Sequence, residues 1–440
     1  MFKTLRNAFK VKDIRNRLIY TLIALAVVRI GTLLPAPAIS RDYTNQIFNS
    51  DALGFFNSIT GGSFSKMSIF ALSITPYISA SIIIQLLTIA IPKLEEMQKE
   101  GEDGRKKLNE LTRYLTVGLA VIESAAYAIG FGGSGALEGG LTFTNLIVII
   151  ASFTAGSTFL MWIGERITQN GVGNGISVIL AVNIISRMPS DFINLFQTYI
   201  QGQAVVQAIL AALIIILVTV GTIIFVILLQ NAERKIPVTY AKKVQGRKMI
   251  GGQTSHIPLK VNTAGVIPVI FANSLMSFPI VIASFFGVQP ARTTFIPKLL
   301  KVLDQNSWFV TKSFGDFQYT IGVLIYIVLT IFFAYFYTSI TFNPIEVSNN
   351  MKKQGGFIPG IRPGKPTTDY LTKVLNNIIF IGAIGLTIVC IIPIVFSGVF
   401  NANFSFGGTS MIIIVGVVIE TIKQIESQLL VRHYKGFLND

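Results

Sequence analysis

Cysteine occurs once in this 440-residue chain, histidine twice, and charged residues make up only 13% of it. Each scarcity removes a class of function. With Cys390 alone, no intrachain disulfide is possible. His256 and His433 have no neighbours of metal-ligand type, so no metal site is expected, and neither a Ser/His/Asp nor a Cys/His set stands out. Gly364 and Lys365, in GFIPGIRPGKPT, superficially resemble a phosphate-binding loop. That motif needs Gly where Pro359 stands and Ser or Thr where Pro366 stands. No cofactor and no catalytic activity are therefore expected. The shortage of charge beside 51% hydrophobic residues excludes a water-soluble domain of this length, which could not bury so much apolar surface.

What is present is a series of long apolar runs. Ten of them fall near 18–38, 73–92, 113–131, 143–163, 175–193, 205–230, 265–287, 318–341, 373–397 and 409–426. A helix crosses a hydrocarbon layer with about 20 residues. The runs are continuous rather than alternating, which favours helices over a barrel, because lipid forces each backbone N–H to bond within its own segment. The expected fold class is an all-α polytopic membrane protein with ten transmembrane helices. The first run is too long for a secretory signal core and contains Arg29, despite the small residues Ala36 and Ala38 that follow.

Lys and Arg orient the spans. With the N-terminus in the cytoplasm, cytoplasmic segments hold 28 of the 36 basic residues and outer segments 7, with Arg29 inside a span. That bias puts both termini in the cytoplasm of a multi-pass protein of the inner membrane. The net charge of +15 is then largely a topology signal and no evidence of nucleic-acid binding. The organisation read from this pattern is a cytoplasmic segment 1–17, a five-helix half 18–193, a second half 205–426 and a cytoplasmic tail 427–440. Five spans per half mean opposite entry directions, which permits an inverted repeat with a pathway between the halves. Ten spans also suit ion-coupled transporters.

Some segments do not fit a plain span. Residues 57–72, NSITGGSFSKMSIFAL, are too polar to cross and too apolar for a solvated loop. A re-entrant plug fits, with Gly61 and Gly62 as a flexible entry and Phe64, Met67, Ile69 and Phe70 packing in a pore mouth. An amphipathic helix on the outer surface fits equally. Two long cytoplasmic loops, 231–264 and 342–372, combine basic residues with Gly and Pro. They suit either contact arms for phosphate or carboxylate partners or retention on the anionic inner leaflet. Arg29 and Glu123 are the clearest ionisable residues inside spans, with Glu420 near an end. An ion relay normally shows more, and Arg29 is expected to bond carbonyls or polar groups of a neighbouring helix.

Seven strings then point to a family: TPYISASIIIQLL from Thr75, KEGEDGRKKLNELTRY from Lys99, NGVGNGIS from Asn170, IPVTYAKKVQGRK from Ile236, HIPLKVNTAGVIPVIFANS from His256, GFIPGIRPGKPT from Gly356 and FGGTSMIIIVGV from Phe406. They resemble bacterial SecY, the central subunit of the Sec protein-conducting channel, in order and over essentially the whole chain. The resemblance implies two inverted five-helix halves around a central pore, a plug and a lateral gate toward lipid. It places the pore ring at Ile74, Ile78, Leu180, Ile184, Ile270 and Ile413, with Leu180 where the family often has Ile. An aliphatic constriction dewets, excludes ions and yields around a polypeptide of any sequence.

The gate implied by the resemblance lies between the second and third spans and the seventh and eighth. Pro76, Pro268 and Pro279 are expected to weaken helix regularity there. Gln85 and Asn273 are its polar residues, a candidate interhelical hydrogen bond. Arg247, Lys248 and Arg362 match family contacts to the ribosome or to the ATPase SecA. SecE and SecG membrane subunits, signal sequences, nascent polypeptides and membrane lipid are the other implied partners. A small-solute transporter, an insertase and a lipid scramblase are the rival readings, and few intramembrane charges argue against all three.

Overall fold

A computed structural model describes residues 2–40, 60–133, 137, 140, 142–201, 205–240, 243–245, 248–250, 254–285, 320–400 and 408–436. The first half contains α1 (Phe2–Lys10), α2 (Lys12–Gly31), α3 (Thr75–Ala90), α4 (Pro92–Lys99), α5 (Glu102–Gly133), α6 (Phe143–Asn170) and α7 (Gly175–Tyr199). The second contains α8 (Val205–Asn231), α9 (Ile267–Phe285), α10 (Thr320–Thr341), α11 (Pro344–Lys353), α12 (Lys365–Phe400) and α13 (Gly408–Gly436). Each of the ten apolar runs thus contains a helix. Among the described residues, six helices are long and apolar enough to cross a membrane by length and composition alone, or seven if the bent pair α3 and α4 forms one span.

Local sequence sets where these helices start and bend. Asn174 caps α7, its Oδ1 accepting from the backbone N–H of Ile176 (3.2 Å) and Ser177 (3.5 Å). The preceding glycines make the α6–α7 turn possible: Gly173 has φ +84°, and a Cβ on Gly175 would fall 2.0 Å from the Gly164 carbonyl oxygen. Pro92 opens α4 and holds Ile91 in an extended conformation, and the chain bends by 103° between α3 and α4. Pro76 and Pro268 occupy the first turns of α3 and α9 and do not interrupt a helix, since a first-turn N–H has no intrahelical acceptor to lose. Only Pro279 of the three gate prolines lies in a helix interior.

Helix limits differ from the apolar runs at their polar ends. α2 stops at Gly31, seven residues before the expected end, because the chain turns there to pair with the segment around Ser68. α13 continues to Gly436, so the expected tail from 427 is largely helix; Glu420, Lys423 and Glu426 are tolerated where the helix leaves the apolar layer.

The two long loops after α8 and α10 carry an architecture that an all-α reading omits. β1 (Glu233–Tyr240) pairs antiparallel with β4 (Thr254–Lys260), placing Ile236 opposite Ile257, and with β5 (Gly356–Phe357), placing Thr239 opposite Phe357. The sheet order β4-β1-β5 joins both loops in one platform. Alternation supplies the reason: Ile236 and Val238 are buried while Lys235 and Pro237 are exposed. Beneath them lie Leu259, Met351, Ile358, Leu371, Val374 and Ile378, an apolar core independent of the membrane. β2 (Lys243–Gln245) and β3 (Lys248–Ile250) form a separate hairpin.

The membrane portion has two main cores. Ala120, Ala128, Ile149 and Phe153 join α5 and α6 in the first half. Val226, Val269, Tyr326, Leu386, Val389 and Ile412 join α8, α9, α10, α12 and α13 in the second. Ile209, Leu213, Ile216, Leu217 and Leu228 of α8 remain exposed, as a lipid-facing surface requires.

Candidate functional site

Five of the six expected ring residues meet in one apolar cluster: Ile78 of α3, Leu180 and Ile184 of α7, Ile270 of α9 and Ile413 of α13, with Val266, Ile414 and Val417. Four helices from both halves contribute. Ile74, fully buried, lies one turn before Ile78 in the adjoining cluster with Val28, Phe70, Leu160 and Ile179, and Ile78 contacts both clusters. The i, i+4 spacings 74/78 and 180/184 keep each pair on one helix face.

Residues 60–74 pack into the protein as a succession of turns, not as a surface helix. Thr60, Ser63, Phe64, Met67, Ser68 and Phe70 to Ile74 are buried, whereas Lys66 is exposed. An amphipathic helix on the outer surface is therefore excluded for these residues; positions 57–59 of the expected plug lie outside the described residues. Ala36 donates its N–H to the Met67 carbonyl (2.9 Å) and Ile69 to that of Leu34 (3.0 Å), so the segment is stitched to the chain leaving α2. Gly61 and Gly62 have φ +66° and +83°, conformations that L residues resist.

Phe64 meets Tyr127 of α5 edge-on at 5.3 Å, and Phe70 stacks on Phe159 of α6 at 6.1 Å. Glycines on neighbouring helices admit the segment. A Cβ on Gly156 would lie 2.1 Å from the Ile69 carbonyl oxygen, and one on Gly31 would lie 2.0 Å from the Phe70 ring. Asn183 of α7, one residue before Ile184, donates from Nδ2 to Ser73 Oγ at 3.4 Å and so ties the ring helix to the end of this segment.

The remaining expected site residues are placed as follows. α5 packs against α9, the two helices implied as gate partners. Gln85 Nε2 donates to Ser81 Oγ at 3.4 Å, within its own helix. Asn273 is buried and its side chain hydrogen-bonds Tyr326, which also hydrogen-bonds Cys390, so α9, α10 and α12 share a polar cluster. Arg362 is exposed, with its carbonyl accepting from Thr367 Oγ1 at 2.8 Å. Lys248 begins β3, and Arg247 lies outside the described residues. Arg29 corrects an expectation: among the described residues its Nη1 is buried with no hydrogen-bond partner. Its close neighbour is Gly61, which has no side chain to offer: a Cβ there would stand 3.0 Å from Arg29 Nη1.

Sequence reasoning missed Asn183, Ser73, Tyr127, Tyr326 and the packing glycines Gly31 and Gly156. Asn183 carried a signal, an amide in an otherwise aliphatic stretch. The glycines carried none, because close approach is a tertiary property.

The SecY family model matches residues 68–422, which include the five strands, the whole ring cluster and the second half of the buried turn segment, from Ser68 on. The chain belongs to the SecY family. The protein translocase subunit SecY of Halalkalibacterium halodurans is 42% identical over 445 residues, covering 100% of both chains. Two solved structures share the fold at 18% identity, each covering 94% of this chain and 92% of the other. One is a SecY whose plug domain stabilises the closed state and maintains a membrane seal, with a TM-score of 0.61. The other is Sec61 in a canine ribosome–channel complex from the endoplasmic reticulum, with a TM-score of 0.60. As a SecY-family chain, this is a multi-pass membrane protein. Its aliphatic cluster offers no fixed polar partner to a passing chain, which suits a barrier rather than a binding site for one solute.

Proposed function

We propose that this chain is the central subunit of the protein translocation channel. Unfolded polypeptides cross the cytoplasmic membrane through it, and hydrophobic segments leave sideways into lipid. It acts by conduction and not by catalysis. The observation that carries this reading is the convergence of Ile78, Leu180, Ile184, Ile270 and Ile413 from four helices of both halves, beside a buried turn segment tied to the same helices. Ile74 completes the ring. Residues 57–72 form the plug, and α3 and α5 part from α9 and α10 at the lateral gate.

Both termini face the cytoplasm, as the basic residues indicate. The halves, 18–193 and 205–426, are inverted with respect to each other. The sheet platform of loops 231–264 and 342–372 receives the ribosome or SecA through Arg247, Lys248 and Arg362; ribosome binding by the related Sec61 and by yeast Ssh1 supports the first of these partners. SecE and SecG complete the complex, and signal sequences and nascent chains are its substrates. Gln85 and Asn273 tune gate closure through polar contacts on α3 and α9.

The test is ion conductance of the purified complex in vesicles, comparing the parent chain with Ile78→Gly combined with Ile184→Gly. Softening the ring should raise resting leak. Unchanged leak from a correctly folded variant would remove these side chains from the constriction.

A further inference from the structure

Arg29 of α2 and Asn183 of α7 both close on the plug residue Gly61. A Cβ built on Gly61 would stand 3.0 Å from Arg29 Nη1 and 3.0 Å from both Cα and Cβ of Asn183, so both residues abut the space that a side chain there would take. Its φ of +66° reinforces the requirement for glycine. Helices α2 and α7 pack against each other, so the two side chains share one interface. Among the described residues, Arg29 Nη1 is a buried donor with no acceptor and Asn183 Oδ1 a buried acceptor with no donor. Each costs free energy as it stands, and the charged group costs more.

An unpaired donor and an unpaired acceptor on two residues that abut the same plug glycine is a specific arrangement. With the plug seated, Phe64, Met67 and Phe70 are buried while neither polar atom has a hydrogen-bond partner. Departure of Gly61 removes the residue that both of them abut. We propose that plug departure lets Arg29 donate a charge-assisted hydrogen bond to Asn183 Oδ1, so that this pair stabilises the displaced-plug state and lowers the cost of opening.

The pair is built into the ring helix itself. Asn183 precedes Ile184 and holds Ser73 through its amide nitrogen, and Ser73 precedes Ile74. Pairing with Arg29 uses the oxygen and leaves the Ser73 contact available. Arg29 and Asn183 are thus positioning residues for channel opening, acting through the plug and not on the substrate.

This inference rests on the channel reading, and its test separates the two. The purified complex is reconstituted in a planar bilayer, and openings triggered by an added signal peptide are counted for the parent, Arg29→Met, Asn183→Leu and the double variant. Each single variant should open about tenfold less often, the size expected of one hydrogen bond to a charged group. The double variant should open no less often than either single one. Gly61→Ala, which retains both polar groups but crowds the seated plug, should open more often than the parent. Those opposite signs cannot arise from a general folding defect. More frequent opening in Arg29→Met or Asn183→Leu would mean that these residues retain the plug, and the inference would fall. So would additive losses, unchanged openings in the single variants, or unchanged openings in Gly61→Ala. If the parent never responds to the peptide while the ring-softened variant also stays silent, the channel reading fails and takes the pairing with it.

Discussion

At the scale of single residues, glycine sets the position of the buried turn segment 60–74. Gly156 and Gly31 have no side chain because Ile69 and Phe70 occupy that space, a backbone carbonyl in the first case and a ring in the second. The two should respond differently to alanine. A ring can turn away, whereas a carbonyl moves only with its chain. Gly156→Ala is expected to destabilise the seated plug by about 1–3 kcal/mol, the cost of overpacking a filled interior, and to raise resting conductance, while Gly31→Ala has the smaller effect. Vesicle leak measured on both variants checks the order, and equal leak would contradict it. The residues of the aliphatic cluster were singled out through their family motifs, not through their own pattern, since Ile and Leu four residues apart recur throughout membrane helices. Asn183 was legible only as an oddity, and its contact with Ser73 depends on a fold that brings residues 110 positions apart together.

At the scale of elements, the ten apolar runs identified the helices because hydropathy is a local property, and lipid leaves few alternatives to a helix. Helix ends were less legible. α2 ends early at Gly31 through pairing with the turn segment around Ser68, and α13 runs on through Glu420, Lys423 and Glu426 as an amphipathic extension. The platform sheet was not legible as pairing at all. Pro237 and Pro258 interrupt the strand pattern of β1 and β4, and β5 has only two residues, with Gly356 lying 116 positions beyond its partner Tyr240. The pairing has a consequence for stability. Val238→Asp would place a carboxylate among Ile236, Leu259, Met351 and Leu371, at a cost of several kcal/mol unless it is protonated. Limited proteolysis should then cut both long loops of the variant faster than those of the parent. Cutting confined to 231–264 would show that the second loop holds its shape without the first.

At the scale of the whole molecule, charge and apolarity are divided by side. The exposed Arg234, Lys235 and Lys260 belong to the sheet platform and Arg362 to the loop after β5, and α8 presents an aliphatic face to lipid. If the platform meets ribosomal RNA through Arg247, Lys248 and Arg362, affinity should fall linearly with the logarithm of salt concentration. Replacing these three residues with Gln should flatten that slope by about 2–3. Binding titrations of the complex at several salt concentrations measure it, and an unchanged slope would assign the contact to other residues.

The platform also has a mechanical meaning. β1 follows α8 after a single residue, Ala232, and β4 leads to α9 through the short stretch 261–266. β5 lies between α11 and α12, and Val261 donates its N–H to the Ala232 carbonyl at 2.8 Å, closing the base of the loop. A body gripping the sheet therefore holds a handle whose stem is the start of α9. Torque applied outside the membrane has a stiff route to the seam inside it, with no need for the gripping body to enter the bilayer.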